Sequence, residues 1–372
     1  MGEQRRAFII GGTGQIGSAA ARRLISDGWE VTLASRGIRS SDTNANAPAI
    51  EGARHLLLDR DDTAALLKAA RGHDLVLDTV AYTPQHADQL VALGDAVGAL
   101  VVISTGSVYA GTNGDELYLE TAVALEEYPD YPDPLTEDLR IVPRPRSGSR
   151  TAHSYSPLKA EVERRLLASG LPVSILRPGA IHGRRGGMLR EWYFVKRALD
   201  RRPFALLAYD GLSRFSTSAT ANIAELVALS ADRPARRVLN AVDEENLTAA
   251  QIGETVFRLL GHDADILTFA GPPTSEEVGA SPWSVPHPIH LSMAKAKAEL
   301  GYRQVVSYED SLADDIRWSL VTVAEAEERG LGWREAFPML LSRYGGDAWF
   351  PYAEEDAYVR RHRTASMWAK AG

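Results

Sequence analysis

The sequence of 372 residues predicts an α/β protein with a doubly wound parallel sheet and a smaller, mixed domain in its C-terminal half. Three observations lead to this prediction. Short apolar runs alternate with helix-like stretches from residue 7 to about residue 180. The runs show no polar alternation, which is typical of strands covered by helices on both faces. A glycine-rich turn, GGTGQIG, joins the first run to the first helix-like stretch.

The predicted elements follow one another in strand and helix order. The strand segments are AFII, WEVTLAS, ARHLLLD, DLVLDTVA, ALVVIST and LPVSILRPG. Amphipathic stretches such as SAAARRLISDG and SPLKAEVERRLLASG lie between them and predict helices. The segment between Gly111 and Ser154 is rich in Pro, Asp and Arg and has little periodicity, so we expect a surface loop there.

Composition excludes several classes of protein. Lys and Arg number 41 against 49 Asp and Glu, and the net charge of −8 disfavours binding to nucleic acid. The absence of cysteine excludes disulfides, thiolate nucleophiles and Cys-type zinc sites. No apolar run reaches the length of about 18 residues that a membrane span needs. The first residues, MGEQRRAFIIGG, contain an apolar run that is too short for the hydrophobic region of a signal peptide. We therefore expect a cytoplasmic protein.

The glycine-rich turn predicts a dinucleotide site. Gly11, Gly14 and Gly17 follow an apolar strand and open a helix, as in Rossmann folds. Glycines let backbone N–H groups approach a pyrophosphate at the helix N-terminus. The next strand ends in Ser35 and Arg36, whose hydroxyl and guanidinium suit a 2'-phosphate, whereas an NAD-selective site needs a carboxylate there. We therefore expect NADP, with NAD as the alternative.

Hydroxyl groups, a phenol and an ammonium group form the predicted catalytic set. Thr105 and Ser107 follow a buried strand, at the edge where open α/β sheets bind ligands. Tyr155 and Lys159 are four residues apart and share one face of a helix, provided that Pro157 lies in its first turn. An ammonium close to a phenol lowers the phenol pKa toward neutrality, as a general acid or base requires.

These motifs together resemble the extended short-chain dehydrogenase/reductase family, the NAD-dependent epimerase/dehydratase group. The resemblance rests on GGTGQIG, VVISTGSVYAG, YSPLKAEVE and LPVSILRPGAIHG, and it covers about residues 7 to 315. It implies that Thr105 is the catalytic Ser/Thr, Tyr155 the acid/base and Lys159 the residue that binds ribose and lowers the phenol pKa. The expected cofactor-binding residues are Gly11, Thr13, Gly14, Gln15, Ile16, Gly17, Ser35, Arg36, Asp59, Tyr155, Lys159 and Pro178.

Departures from the family pattern limit the substrate. Gly106 and Ser107 stand where sugar-nucleotide dehydratases carry Asp and Glu, and Ala180 replaces an Asn usual in nucleotide-sugar enzymes. The first departure disfavours dehydratase activity, and the second disfavours a nucleoside diphosphate sugar as the substrate. Three further residues are candidates for substrate contact, namely Ser107, His182 and Trp192. We expect no metal site.

The domain boundaries follow from these assignments. Residues 1–180 are expected to form the Rossmann domain, with 215–245 returning to it. Residues 183–212 and 246–318 are expected to form the substrate domain, and 319–372 an aromatic extension that packs on it. Within the substrate domain, Thr248 and Gln251 have the spacing of a helix capping box.

The function that we predict is NADPH-dependent reduction of a small carbonyl compound, with an alcohol as the substrate of the reverse reaction. The alternatives are an epimerase that recycles a tightly bound NAD(P), and a nucleotide-sensing or RNA-binding relative without turnover. The retained Tyr155 and Lys159 favour an enzyme. The sequence leaves a homodimer open.

Overall fold

In the described part of the chain, neighbouring strands of each sheet run parallel to one another. The computed structural model describes residues 4–36, 50–112, 128–144, 155–344 and 346–362. Its strands are β1 (Arg6–Ile10), β2 (Glu30–Ser35), β3 (Ala53–Leu57), β4 (Leu75–Asp78), β5 (Ala99–Ile103), β6 (Val173–Pro178), β7 (Ala180–His182), β8 (Phe204–Leu207), β9 (Thr217–Ala219), β10 (Arg237–Ala241) and β11 (Asp265–Thr268). Seven of them form one sheet in the order β10-β6-β5-β4-β1-β2-β3. The order reverses between β1 and β4, and this edge is where α/β sheets bind their ligands.

Helices cover both faces of this sheet and build most of the second unit. They are α1 (Gln15–Ser26), α2 (Thr63–Ala70), α3 (Pro84–Val91), α4 (Tyr155–Ala168), α5 (Trp192–Leu199), α6 (Thr220–Asp232), α7 (Ala249–Leu260), α8 (Ala294–Leu300), α9 (Tyr308–Glu327), α10 (Trp333–Ala336), α11 (Pro338–Tyr344) and α12 (Tyr352–His362). No helix in these described ranges is both long and apolar enough to span a bilayer.

Strand β1 shows why the sheet is buried on both faces. Ala7 and Ile9 belong to one apolar core, with α1 and α6 above it. Phe8 and Ile10 belong to the opposite core, which α2 and α4 cover. Successive side chains of a strand point to opposite faces, so a strand between two helical layers must be apolar throughout. The predicted doubly wound α/β fold is confirmed.

Helix α6 and strand β10 contribute to this core. Helix α6 packs against α1, and β10 pairs with β6 as the outermost strand on that side. The sequence reading did not identify β10 as a strand, although its segment, RVLNA, is fully buried.

A separate apolar core holds the second unit together. The parallel pair β8 and β11 contacts α5 and α7, and α9 to α11 pack around them. The predicted cap of α7 is confirmed, because Thr248 Oγ1 accepts the Gln251 N–H at 3.1 Å and Gln251 Oε1 accepts the Thr248 N–H at 2.9 Å.

Part of the segment predicted as a surface loop belongs to the core. Residues 113–127 and 145–154 lie outside the described residues, but 128–144 pack against the sheet domain. Tyr131 and Leu135 are buried in the main core, and Val142 is buried beside α4. The surface-loop prediction is wrong for this stretch, since its spaced apolar side chains fill gaps between more distant elements.

Candidate active site

The glycine turn brings α1 very close to β1. A Cβ on Gly17 would lie 2.5 Å from the Gly11 carbonyl oxygen, and one on Gly11, whose φ is +80°, would lie 2.4 Å from Thr79 Oγ1. Only glycine fits such positions. Gly14 begins α1 without a side-chain cap. The turn is therefore a cradle of backbone at a positively polarised helix N-terminus, which fits a pyrophosphate.

A cavity of about 650 Å³ opens beside this turn, at the carboxyl ends of β1 and β2. Its lining includes the predicted residues Gly11, Thr13, Gly14, Ser35, Arg36 and Asp59. Arg36 and Asp59 are both exposed there. We call this space the first cavity.

Three other predicted cofactor residues occupy different places. Ile16 is buried in the core, and Gly17 packs on the turn itself. Gln15 lies outside the first cavity, and its Nε2 donates to the Gly183 carbonyl oxygen at 2.8 Å. These residues shape or brace the turn.

Arg60 is a residue of the first cavity that the sequence reading missed. It is mostly buried, and its Nη1 lies 2.9 Å from Oδ2 of Asp78, at the end of β4. Nη2 of Arg60 also donates to Gln89 Oε1 at 3.1 Å. In the sequence, Arg60 is only a basic residue after an apolar strand, which gives little indication of its role. Its pairing with Asp78 depends on the relative positions of β3 and β4.

Two of the three predicted catalytic residues, Thr105 and Tyr155, line a second cavity, of about 250 Å³, whereas Lys159 does not. Thr105, Ser107, Tyr155, Pro178 and Gln15 all contribute to its wall. We call this space the second cavity. The structure thus brings together side chains from the ends of β5 and β6 and the start of α4.

The hydroxyl groups of this site form a short chain. Thr105 Oγ1 and Ser107 Oγ lie 3.1 Å apart, and Ser156 Oγ donates to Ser107 Oγ at 3.1 Å. The Ser107 N–H also donates to Thr105 Oγ1, at 3.2 Å. This bond orients Thr105 and leaves its hydroxyl hydrogen available to a neighbouring oxygen.

Tyr155 begins α4, which places Pro157 in the first turn, where proline is tolerated. The Tyr155 ring stacks on that of Tyr82, with 5.7 Å between the centroids. Lys159 Nζ lies 5.9 Å from the centroid of the Tyr155 ring. The spacing of four residues therefore places the ammonium and the phenol side by side.

Lys159 is buried, and its Nζ donates to the carbonyl oxygens of Ala81 and Ile103, each at 2.8 Å. Burial lowers the pKa of Lys159 to about 8, although the carboxylates of Asp78 and Glu163 act in the opposite direction. Near neutral pH the side chain therefore remains mostly an ammonium group, within reach of deprotonation at mildly alkaline pH.

Two substrate-contact predictions need correction. His182 is buried away from the second cavity, with Nε2 2.7 Å from Asp243 Oδ2 and Nδ1 3.1 Å from Ser311 Oγ. Burial alone would lower the pKa of His182, but the Asp243 carboxylate reverses this and raises it. His182 thus connects β7 to α9.

Trp192 is likewise buried in the core of the second unit. Its ring contacts that of Phe337 at 5.2 Å and that of Trp333 at 6.0 Å between centroids. Both partner rings belong to the aromatic extension, which the sequence predicts to pack on this unit.

No group of three or more His, Cys, Asp or Glu side chains with metal-binding geometry occurs in the described parts of the chain. His290, in the sequence PHPIH, places Nδ1 2.8 Å from Asp133 Oδ1.

Comparison with known families supports the reading of these motifs. The model of the NAD dependent epimerase/dehydratase family matches residues 7–207. The chain belongs to this family. Its glycine turn, the Thr105 strand and the Tyr155 helix all fall inside the matched range. Comparison with curated proteins gave no match.

Solved structures of epimerase/dehydratase folds are similar over most of the chain. MoeE5 in complex with UDP-glucuronic acid and NAD is 18% identical, with a TM-score of 0.60, and the match covers 85% of this chain and 99% of that one. WbmG of Bordetella bronchiseptica, in complex with NAD, is 18% identical with a TM-score of 0.62, over 86% of this chain and 95% of that one. UDP-N-acetylglucosamine 4-epimerase from Bacillus cereus is 15% identical with a TM-score of 0.60, over 84% and 98%. At this identity the likeness concerns the fold.

Proposed function

We propose that this member of the epimerase/dehydratase family is an NAD(P)-dependent oxidoreductase that reduces a carbonyl compound, with Tyr155 as the proton donor. The observation that carries the proposal is that Thr105 and Tyr155 line the second cavity, with buried Lys159 beside the Tyr155 ring and a glycine turn nearby that fits a dinucleotide. When bound, the nicotinamide cofactor supplies the hydride that reaches the carbonyl carbon.

The residues of the chain handle the proton and the oxygen. Thr105 donates its hydroxyl hydrogen to the carbonyl oxygen, and Tyr155 gives its proton to that oxygen as the alcohol forms. The Lys159 ammonium stabilises the resulting phenolate until solvent returns the proton. In the reverse direction the same phenolate accepts the proton of an alcohol.

The cofactor would be held by Gly11, Thr13 and Gly14 at the turn and by Ser35, Arg36 and Asp59 around the first cavity. Lys159 would bind the nicotinamide ribose, and Pro178 would lie beside the nicotinamide. Arg36 at the end of β2 supports NADP(H), because a guanidinium pairs well with a phosphate and no carboxylate follows β2 directly. Asp59, on the same cavity, would oppose this preference in part.

Epimerisation on a retained cofactor is the second candidate. It is supported by solved structures of UDP-sugar 4-epimerases that share the fold. Such an enzyme oxidises and then re-reduces one substrate, so it needs no supply of NADPH.

Two measurements separate these functions. The purified protein is mixed with NADPH or NADH and a panel of aldehydes and ketones, and consumption of the reduced nicotinamide is followed by its ultraviolet absorbance. We expect steady consumption with NADPH. Denatured protein is also analysed for released dinucleotide: a stoichiometric amount, without turnover on the panel, would favour the epimerase. Binding of added dinucleotide, with no turnover on the panel and no dinucleotide retained through purification, would favour a nucleotide-sensing relative.

A further inference from the structure

The chain beyond α9 is docked firmly onto the second unit. Arg197 of α5 is fully buried, with Nη2 2.5 Å from Glu355 Oε1 of α12 and 2.9 Å from the Trp349 carbonyl oxygen. Arg202 pairs with Asp356 at 2.5 Å. Breaking a buried ion pair leaves an uncompensated charge, so this anchoring holds the extension in one position.

This docking places α11 against the second cavity. Phe337, just before α11, packs on Trp192 of α5. Met339, in the first turn of α11, lines the cavity. A Cβ on Gly187 would lie 2.8 Å from Met339 Sδ, so the thioether rests directly on the backbone of that glycine. Met339 is 53% exposed, which places it where the cavity opens to solvent.

Most other side chains on this wall are apolar. They include Tyr131, Leu135, Ile181, Phe215 and Leu291. Among the described lining residues, Arg190 is the only one with a cationic side chain. A pyrophosphate carries two negative charges and is usually bound by several cationic or N–H donors. This lining fits an apolar substituent better than a nucleoside diphosphate.

We propose that Met339, supplied by the C-terminal extension, is a specificity-determining residue, and that the second cavity takes carbonyl compounds whose carbonyl carbon bears an apolar aliphatic or aromatic group. This inference rests on the proposed function. The hydroxyl groups of Thr105 and Tyr155 bind the oxygen, while Met339 and the apolar side chains cover the substituent. A flexible thioether adapts to substituents of different shape.

The test compares acetone with acetophenone as substrates, with NADPH in excess. In Met339→Asp, a carboxylate faces the apolar substituent, so kcat/KM for acetophenone should fall about tenfold or more, mainly through KM. For acetone the change should stay below about threefold, because acetone is too small to reach Met339. Met339→Leu keeps an apolar side chain at this position, so this variant should keep the wild-type ratio of kcat/KM for acetophenone to that for acetone. Val321→Asp is the matched control: Val321 is 51% exposed in α9, does not line the cavity, and should tolerate the change.

Equal losses for both ketones in Met339→Asp, or no loss for either, would overturn the assignment. If wild type reduces neither ketone, binding is measured by saturation-transfer NMR on protein saturated with NADP⁺, with acetophenone and UDP-glucose as separate probes. Binding of acetophenone to wild type and Val321→Asp, but not to Met339→Asp, supports the site even though the proposed reduction fails. Binding of UDP-glucose alone, or of neither probe, overturns it.

Discussion

Arg177 and Glu163 form a buried ion pair next to the catalytic hydroxyl groups, with Nη2 2.6 Å from Oε2 and side chains only 3% and 1% exposed. Oε1 of the same carboxylate accepts hydrogen bonds from Arg177 Nε at 3.1 Å and from Ser104, the residue before Thr105. The guanidinium also lies 4.7 Å from the centroid of the Tyr109 ring. One salt bridge therefore connects α4, β6 and the end of β5.

We predict that Glu163→Ala destabilises the protein by about 3–5 kcal/mol, because it leaves the Arg177 charge buried without its partner. Urea unfolding followed by circular dichroism measures this. The double variant Glu163→Leu with Arg177→Met should recover most of the loss. Equal stability of the single and double variants would show that the unpaired charge is not the cause.

Tyr155→Phe should lower turnover by roughly 100-fold or more while changing cofactor affinity little, since only the hydroxyl is removed. The phenyl ring can keep its stacking on Tyr82. Turnover and cofactor binding are measured on the same preparation, by steady-state kinetics and by calorimetry. Near-normal turnover would mean that another group provides the proton.

Turnover in the reductive direction should decline above about pH 8, because the buried Lys159, whose pKa is lowered to about 8, is then deprotonated. Below that pH the ammonium is present and stabilises the phenolate; above it the stabilisation is lost. A pH profile of kcat measures the decline. Lys159→Arg keeps its charge at alkaline pH, so its residual activity should decline only at higher pH. An unchanged alkaline limb in this variant would assign the decline to another group.

Arg36→Ala should bring the affinities for NADP(H) and NAD(H) close together, mainly by weakening NADP(H). A guanidinium and phosphate pair contributes about 1.5–3 kcal/mol, so we expect wild type to prefer NADP(H) by about tenfold or more. Calorimetric titration of both cofactors into wild type and variant measures this, and added salt should reduce the preference. A wild type that prefers NAD(H) would contradict the role of Arg36 and would remove the main support for net reduction.

The stability of the Asp315→Asn variant relative to wild type should increase as the pH rises toward 8. Burial, followed by the charge of Glu191, raises the pKa of Asp315 to about 8. The folded state thus binds more protons than the unfolded state above the unfolded pKa of about 3.9, and stability falls as pH rises toward 8. The variant should gain at most roughly 1.4 kcal/mol relative to wild type per pH unit across this range.

Urea unfolding at several pH values from about 5 to about 8 measures the gain of Asp315→Asn. Asp314→Asn is the control, because the Asp314 side chain is 58% exposed and pairs with Arg317 at the surface. A parallel gain in both variants would exclude burial of Asp315 as the reason.

The sequence by itself determined six of the seven strands of the large sheet, the glycine turn and the placement of Thr105, Tyr155 and Lys159. Each of these depends on spacing within a few residues. Apolar runs specify buried strands, glycines specify the close approach of α1, and a separation of four residues places Tyr155 and Lys159 on one helix face. Such local geometry is the same wherever the segment lies in the molecule.

Only the tertiary structure decided which distant side chains meet. Arg60 pairs with Asp78, Glu163 with Arg177, and His182 with Asp243, each from separate elements. For this reason His182 and Trp192, which the sequence suggested as substrate contacts, are buried instead. Met339 reaches the second cavity because Arg197 anchors the extension through Glu355. Burial and charge pairing depend on the packing of elements far apart in the chain, and no local pattern specifies that packing.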